Sequence, residues 1–276
     1  MDLKQASISV TMLVFVLSSM LGMGLGLNIR QIARPLRNLR LVVLSLVANF
    51  LVMPAVALVL ARILQLDQPL GVGLLLLGAA GAPFLPKLAQ IARGNLAFAV
   101  GLMVLLMVVT VGYMPVVLPQ LLPGVSVDSA KIARSLFVLM LLPLAGALWM
   151  NAKLPAVAAR VKPALDKTSN LSLMLLIGLL TALNVRSVLT VFGTGGILAG
   201  LLFLAAGFGI GWLLGGPSAD TRTVLALGTA QRNIAAALVV GSQSFDDPNV
   251  VVMVVVVAIV GLLLLMPLSR RLAKHT

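Results

Sequence analysis

The chain has no cysteine and no glutamate, a single histidine at the penultimate position, and only 4% aromatic residues. Without thiols there are no disulfides, no thiolate metal ligands and no cysteine nucleophile, and cysteine usage says nothing about redox compartment. His275 is too close to the terminus to build a zinc or triad motif inside the apolar part of the chain. The seven acids are all aspartates (Asp2, Asp67, Asp128, Asp166, Asp220, Asp246 and Asp247) and fall in or beside expected loops. No HExxH, paired-Asp or Ser-Lys arrangement lies within an apolar run, which argues against an intramembrane enzyme. No pore-lining polar repeat or ring-forming selectivity sequence is visible, which argues against a channel. No GxGxxG or Walker pattern offers a phosphate cradle, so no nucleotide cofactor is expected.

What fills the chain is hydrocarbon. It is 61% hydrophobic and 10% charged, with a mean hydropathy of +1.15. Soluble domains carry roughly 25% charged residues, so the excess apolar surface has to face lipid, and the chain reads as an all-α integral membrane protein. The net charge of +13 has no aromatic-rich or soluble domain to go with it. The basic residues therefore belong to loops beside anionic headgroups, with membrane lipid as a partner and no nucleic acid.

Apolar runs long enough for about 30 Å of hydrocarbon fall at 8–28, 41–63, 69–92, 95–121, 131–150, 169–185, 191–215, 219–243 and 248–269, nine expected spans. Residues 1–28 do not read as a signal peptide, because no small-x-small cleavage site follows the apolar run. Between spans the chain carries helix-stop chemistry such as Asp67-Gln68-Pro69, Arg93-Gly94-Asn95 and Asp246-Asp247-Pro248. Across alternating loops, thirteen of the twenty Lys and Arg residues fall on one side (Arg30, Arg34, Arg37, Arg40, Arg93, Lys153, Arg160, Lys162, Lys167, Arg222, Arg270, Arg271, Lys274) and five on the other (Lys4, Arg62, Lys131, Arg134, Arg186). The positive-inside rule then places the N-terminus outside and the C-terminus in the cytoplasm, with a bacterial inner membrane as the expected location.

The two remaining cations, Lys87 and Arg232, interrupt two of the most apolar stretches, with no acid near either in sequence. A cation at mid-bilayer costs at least about 2.5–3.5 kcal/mol and marks a cavity, a partner or a substrate path. Three readings stay open: fixed cations that hold two helix breaks together, cations that attract an anionic substrate, or cations that only satisfy carbonyls exposed by a break. A desolvated Lys87 could also carry a proton. Gln231, Asn233, Thr229, Asn49 and Gln90 are candidate polar partners in the same region, with interhelical packing as the alternative for Asn49 and Gln90. Gly81, Pro83, Pro86 and Gly228 are the candidate helix-break residues. Ser18 and Ser19 are expected to bond their own helix's carbonyls.

The chain repeats itself. Gly26-Leu27-Asn28-Ile29-Arg30 returns as Ala182-Leu183-Asn184-Val185-Arg186, Leu75-Leu76-Leu77-Gly78-Ala79-Ala80 as Leu225-Ala226-Leu227-Gly228-Thr229-Ala230, and Met114-Pro115 as Met266-Pro267. Three matches in the same order at near-constant offset point to two related portions. Five spans separate matched elements, so they run in opposite directions, an inverted-topology repeat of four plus five. Repeat one is 8–122, repeat two is 169–270, and the helix at 131–150 is unpaired, all within one transmembrane domain, 1–276. The Gly/Pro-interrupted spans at corresponding positions carry Lys87 and Arg232, which is the sequence pointer to a transporter's site.

With GMGLGLN (22–28), ANFLVMPAVA (48–57), ARGN followed by a helix ending in Met-Pro (92–115) and QRNIAAAL (231–238), the chain resembles the bile acid:sodium symporters over nearly its whole length. The resemblance implies inverted repeats with two broken helices crossing at the site, and some members lack the opening helix. By the same analogy the panel domain is expected from spans one, two, six and seven, and the crossing core from spans three, four, eight and nine, with span five linking the halves. The sodium motifs are not retained. Leu85-Pro86 stands where Ser-Asn would be, Ala99 and Met103 stand where hydroxyls are expected, and Gly228-Thr229-Ala230-Gln231-Arg232-Asn233 replaces E-x-G-x-Q-N. A hard cation needs several oxygens and is repelled by a guanidinium, so two-sodium coupling is expected to be absent.

The expectation is therefore a secondary transporter for a small organic anion working by alternating access, with sodium-coupled symport as the alternative and an intramembrane enzyme or a channel as distant ones. Substrate identity, coupling ion and oligomeric state stay open.

Overall fold

The computed structural model describes residues 3–28, 38–81, 83–122, 128–183 and 193–273, and among them there is helix but no strand. The helices are α1 (Leu3–Leu25), α2 (Leu39–Ile63), α3 (Gln68–Gly78), α4 (Leu85–Ile91), α5 (Leu96–Leu121), α6 (Ser129–Lys153), α7 (Pro155–Leu183), α8 (Gly196–Leu214), α9 (Ala219–Ala230), α10 (Ile234–Ser244) and α11 (Pro248–Leu272). Among the described residues seven stretches are long and apolar enough to cross a membrane: the apolar part of α1, α2, α5, α6, α8, the α9–α10 pair taken together, and α11. The run at 69–92 is not among them because it is divided after Gly78 into helices of 11 and 7 residues. Of the run at 169–185, residues 169–183 lie in the 29-residue α7, whose first half carries Arg160, Lys162, Asp166 and Lys167, and 184–185 lie outside the described residues. At 1.5 Å per residue α7 is about 43 Å long, longer than the hydrocarbon is thick, so that charged half extends beyond it.

Short polar side chains start the helices. Asn95 accepts from the Phe98 N–H at 2.9 Å, Asp128 from Lys131 at 3.0 Å, Asp247 from Asn249 at 2.8 Å and Asn233 from Ala236 at 3.0 Å. Each occupies a donor that a helix N-terminus otherwise leaves unpaired. Ser18 donates to the Val14 carbonyl at 2.6 Å, as expected of a mid-span serine.

The helices pack in two groups. In one, α1 lies along α6 and α7; in the other, α2, α3, α8, α9 and α11 pack on one another, with α4, α5 and α10 joined to them. The expected panel of spans one, two, six and seven is thus corrected: spans one, five and six group together, and spans two and seven join the larger body. Small residues at the contacts explain the grouping, since without a hydrophobic drive helices associate where backbones can approach closely. Gly24 of α1 faces Ala147 of α6, and a Cβ at Gly24 would stand 2.6 Å from the Ala147 Cβ. Asn151 of α6 donates to the Leu27 carbonyl at 2.8 Å. On the other side, Gly207, Gly211 and Gly215 form a stripe along α8 against the backbone of α9.

Large apolar side chains cover the outside of both groups, among them Val59, Val116, Met174, Leu213 and Leu263, each more than half exposed, as a lipid-facing surface requires. A Cβ at Gly211 would lie 2.3 Å from the Leu225 carbonyl oxygen, whereas Gly209 has nothing within 4 Å. Gly211→Ala should therefore force α8 from α9 and lower stability by about 1–3 kcal/mol, read as a fall in the thermal midpoint in detergent, while Gly209→Ala, which meets no neighbour, should hold or raise the midpoint.

Candidate functional site

The chain breaks twice inside the larger body, and the breaks touch. Between α3 and α4 the helix stops at Gly78; between α9 and α10 it opens over Gln231, Arg232 and Asn233. The Phe84 N–H of the first break donates to Gln231 Oε1 of the second at 3.2 Å, and Gln231 Nε2 donates to the Arg232 carbonyl at 2.6 Å. Gly81 sits in the first break, where its N–H donates to Thr110 Oγ1 at 2.8 Å and a Cβ would fall 2.7 Å from the Leu106 carbonyl.

A third irregularity reaches the same point. In α2 the backbone widens into a π turn over Ala48–Val52, where the Met53 N–H goes to the Ala48 carbonyl, and the next residue is Pro54. The α-helical donor for the Asn49 carbonyl is thereby diverted, and that for Phe50 does not exist, since proline has no N–H. The Tyr113 hydroxyl donates to the Phe50 carbonyl. Arg232 takes the Asn49 carbonyl.

Arg232 has five N–H donors, and each meets its own oxygen. Nε donates to the Leu77 carbonyl at 2.8 Å; Nη1 to Asn49 Oδ1 at 2.7 Å and the Thr229 carbonyl at 3.1 Å; Nη2 to the Asn49 carbonyl at 3.2 Å and the Gly78 carbonyl at 2.5 Å. Leu77 and Gly78 belong to the last turn of α3 and Thr229 to the last turn of α9, where carbonyls lack the regular α-helical donor four residues on; the Leu77 carbonyl also accepts from the Ala80 N–H at 3.1 Å. The side chain is 3% exposed, with the Phe203 ring centroid 5.9 Å from its central carbon. No carboxylate pairs with it among the described residues. Its counter-charge is the pair of helix C-termini, each equivalent to roughly half a negative charge.

Asn49 completes this knot: its Nδ2 donates to the Ser45 carbonyl at 2.9 Å and to Thr229 Oγ1 at 3.4 Å. The structure thus brings Arg232, Asn49, Thr229 and Gln231 together in one hydrogen-bonded cluster. Asn233, fully buried, adjoins it as the cap of α10, and its Nδ2 finds no partner among the described residues. Lys87 and Gln90 do not join: both lie on α4, exposed, and line a cavity.

Two break assignments are corrected. Pro86 lies in the first turn of α4, where a missing N–H costs nothing, so it begins a helix. Gly228 lies inside α9, with a Cβ position 2.8 Å from Leu85 Cδ2, so it is a packing glycine. The second break has no glycine or proline; polar side chains of Gln231, Arg232 and Asn233 stabilise it instead. Pro83 does lie in the first break and lines the cavity. Leu85, Ala99 and Met103, the positions without oxygens, are buried in the apolar core.

The cavity, about 1150 Å³, lies between the two helix groups. The smaller group contributes Phe15, Ser19, Lys162, Asp166 and Asn170, and the larger group Lys87, Gln90, Met103, Gln231 and Leu265. Sequence reasoning missed Pro54, Tyr113 and the Lys162–Asp166 pair. Pro54 carried a legible signal, a proline inside an apolar run that must orphan a carbonyl.

Residues 11–191 match the sequence profile of the Sodium Bile acid symporter family. The chain is also 29% identical over 247 residues to a rice protein named probable sodium/metabolite cotransporter BASS2, chloroplastic, with 84% of this chain and 57% of the relative aligned. It is 25% identical over 243 residues to the Arabidopsis thaliana protein named probable sodium/metabolite cotransporter BASS6, chloroplastic, covering 83% of this chain and 59% of that one. The chain therefore spans under three fifths of the length of the curated relatives it matches. The family and these relatives are transporters, not enzymes.

Arg232→Met keeps the bulk of the side chain but takes the donor from five buried oxygens, of which the Leu77 carbonyl keeps the Ala80 N–H at 3.1 Å; each oxygen left unpaired costs about 1–3 kcal/mol. A loss of at least about 3 kcal/mol is expected, measured as a lower thermal midpoint of the purified protein. Arg232→Lys, with three donors and no fork geometry, should recover only part of it.

Proposed function

Because the chain belongs to the sodium bile acid symporter family, we propose that it is a secondary transporter that moves a small organic anion across the membrane by alternating access, without two-sodium coupling. One observation carries this reading: of the two intramembrane cations, Arg232 has every donor engaged by protein oxygens, whereas Lys87 lines the cavity with no partner among the described residues. Arg232 then acts as a fixed cation at the meeting of the breaks, in the role a bound metal ion would otherwise fill. Lys87 is the anion contact. Gln90 on the same helix and Gln231 of the second break also line the cavity.

The same reading takes the chain as nine spans in an inverted repeat of four plus five, 8–122 and 169–270, with 131–150 unpaired. It is supported by the two divided helices, where the matched stretch 75–80 runs from the end of α3 into the break and 225–230 ends α9 at the other. Orientation follows the Lys/Arg bias, N-terminus out and C-terminus in, with a bacterial inner membrane as the setting. Alternating access is the relative movement of the two helix groups about the cavity between them.

A second reading, sodium-coupled symport, is favoured by the names of the relatives. Counterflow of labelled carboxylates and sulfonates in proteoliposomes, with sodium or with choline, separates the two. Uptake indifferent to sodium, lost in Lys87→Ala and kept in part by Lys87→Arg, is the expected result. Stimulation by sodium of tenfold or more would establish the second reading. Protein that takes up none of the panel would defeat both.

A further inference from the structure

The cavity holds three charged groups whose donors or acceptors are not consumed by the breaks: Lys87 on α4, and Lys162 and Asp166 on α7. Lys162 Nζ donates to Asp166 Oδ2, the one ion pair among the described residues, with side chains 36% and 45% exposed. Among the described residues Asp166 is the only acid lining the cavity. The pair is seated in a groove of α1: a Cβ at Gly22 would lie 2.6 Å from Asp166 Oδ1, and one at Gly26 would lie 2.6 Å from Lys162 Cε. Two glycines one turn apart thus leave room for both charged ends beside the cavity. The order, Lys preceding Asp at i,i+4, is the less favourable one on a helix, and half-exposed pairs of this kind add little to stability. The pair is cheap to open.

We propose that Lys162 is a second anion contact of this cavity, that Asp166 competes with the substrate for its ammonium, and that the preferred substrate carries an anionic group at each end of an apolar middle. The inference rests on the transporter reading above. Lys87 belongs to one helix group and Lys162 to the other, and Leu88, Met103, Leu173 and Leu265 give the cavity an apolar lining alongside the polar Gln90, Asn170, Gln231 and the fully engaged Arg232. A sphere of the cavity's 1150 Å³ is about 13 Å across, room for an eight-carbon chain with a carboxylate at either end. Such a molecule ties the two moving groups together, which a monoanion held by Lys87 alone does not. Asp166 sets the threshold: its carboxylate must be displaced from Lys162 before the second end is held, and its charge repels anions that lack the means to displace it.

The test is binding, independent of transport: thermal stabilisation of the purified full chain by octanedioate and by octanoate. The wild type should bind octanedioate at least fivefold more tightly than octanoate. Lys162→Gln should remove that advantage, Asp166→Asn should tighten octanedioate binding severalfold, and the double variant should behave like Lys162→Gln. A purely structural ion pair gives a different pattern, in which both single variants weaken binding or stability alike and the double variant recovers. That pattern, or equal affinity of the wild type for the two compounds, would overturn the proposal. Failure of the transporter reading shows separately, as absent counterflow in protein that still binds octanedioate.

Discussion

A buried guanidinium in a membrane protein, with no carboxylate to neutralise it among the described residues, is the constraint around which the larger helix group is built. Its charge is balanced by dipoles. The carbonyl ends of α3 and α9 point at Arg232 from two directions, and Asn49 adds a backbone and a side-chain oxygen from a third. None of the three irregularities that supply these oxygens is stable alone in hydrocarbon, where an unpaired carbonyl costs several kcal/mol. The guanidinium takes carbonyls from all three, with Tyr113 and Thr110 taking the Phe50 carbonyl and the Gly81 N–H beside them, and the guanidinium is tolerable because all three are present. The planar fork matters as much as the charge, since five fixed donors can be matched one to one by five oxygens.

That mutual dependence divides the labour between the two cations. A side chain with no donor left cannot also grip a ligand without dismantling the knot, so Arg232 reads as architecture. Lys87 stands at the start of a short helix beside the cavity, where its ammonium stays accessible. On the proposed reading one charge stabilises the crossing permanently and the other recognises what passes, two roles that a dissociable metal ion and its substrate would otherwise share. The apolar burial of Leu85, Ala99 and Met103 fits that arrangement, because the region offers hydrocarbon where an ion would need oxygen.

Much of this was legible residue by residue. Lys87 and Arg232 stand out in any hydropathy profile, and the boundaries at Arg93-Gly94-Asn95 and Asp246-Asp247-Pro248 were legible as well, whereas Asn233 was read as a polar partner and not as the cap of α10. The grouping of helices was not legible: assignment by analogy placed α2 with α1, yet Gly22, Gly24 and Gly26 fit α1 to α6 and α7, and the glycine stripe of α8 seats α9. Small-residue contacts specify that a close neighbour exists without naming it. Pro86 and Gly228 misled for a related reason, since proline in a first turn and glycine in a packed helix look the same in sequence as breakers do.

The sequence by itself determined that the chain is apolar enough to need a membrane, that two cations must be accounted for inside it, and which polar residues stand close enough in the chain to help. These are matters of composition and short-range spacing, which any conformation inherits. Only the tertiary structure decided that the two cations have different fates. Asn49, Gly78 and Arg232 lie far apart along the chain, and whether a donor is spent or free depends on which carbonyls three separate backbone irregularities bring within hydrogen-bonding distance of it. Distance in space, set by helix packing, is the quantity that a linear order of residues does not contain.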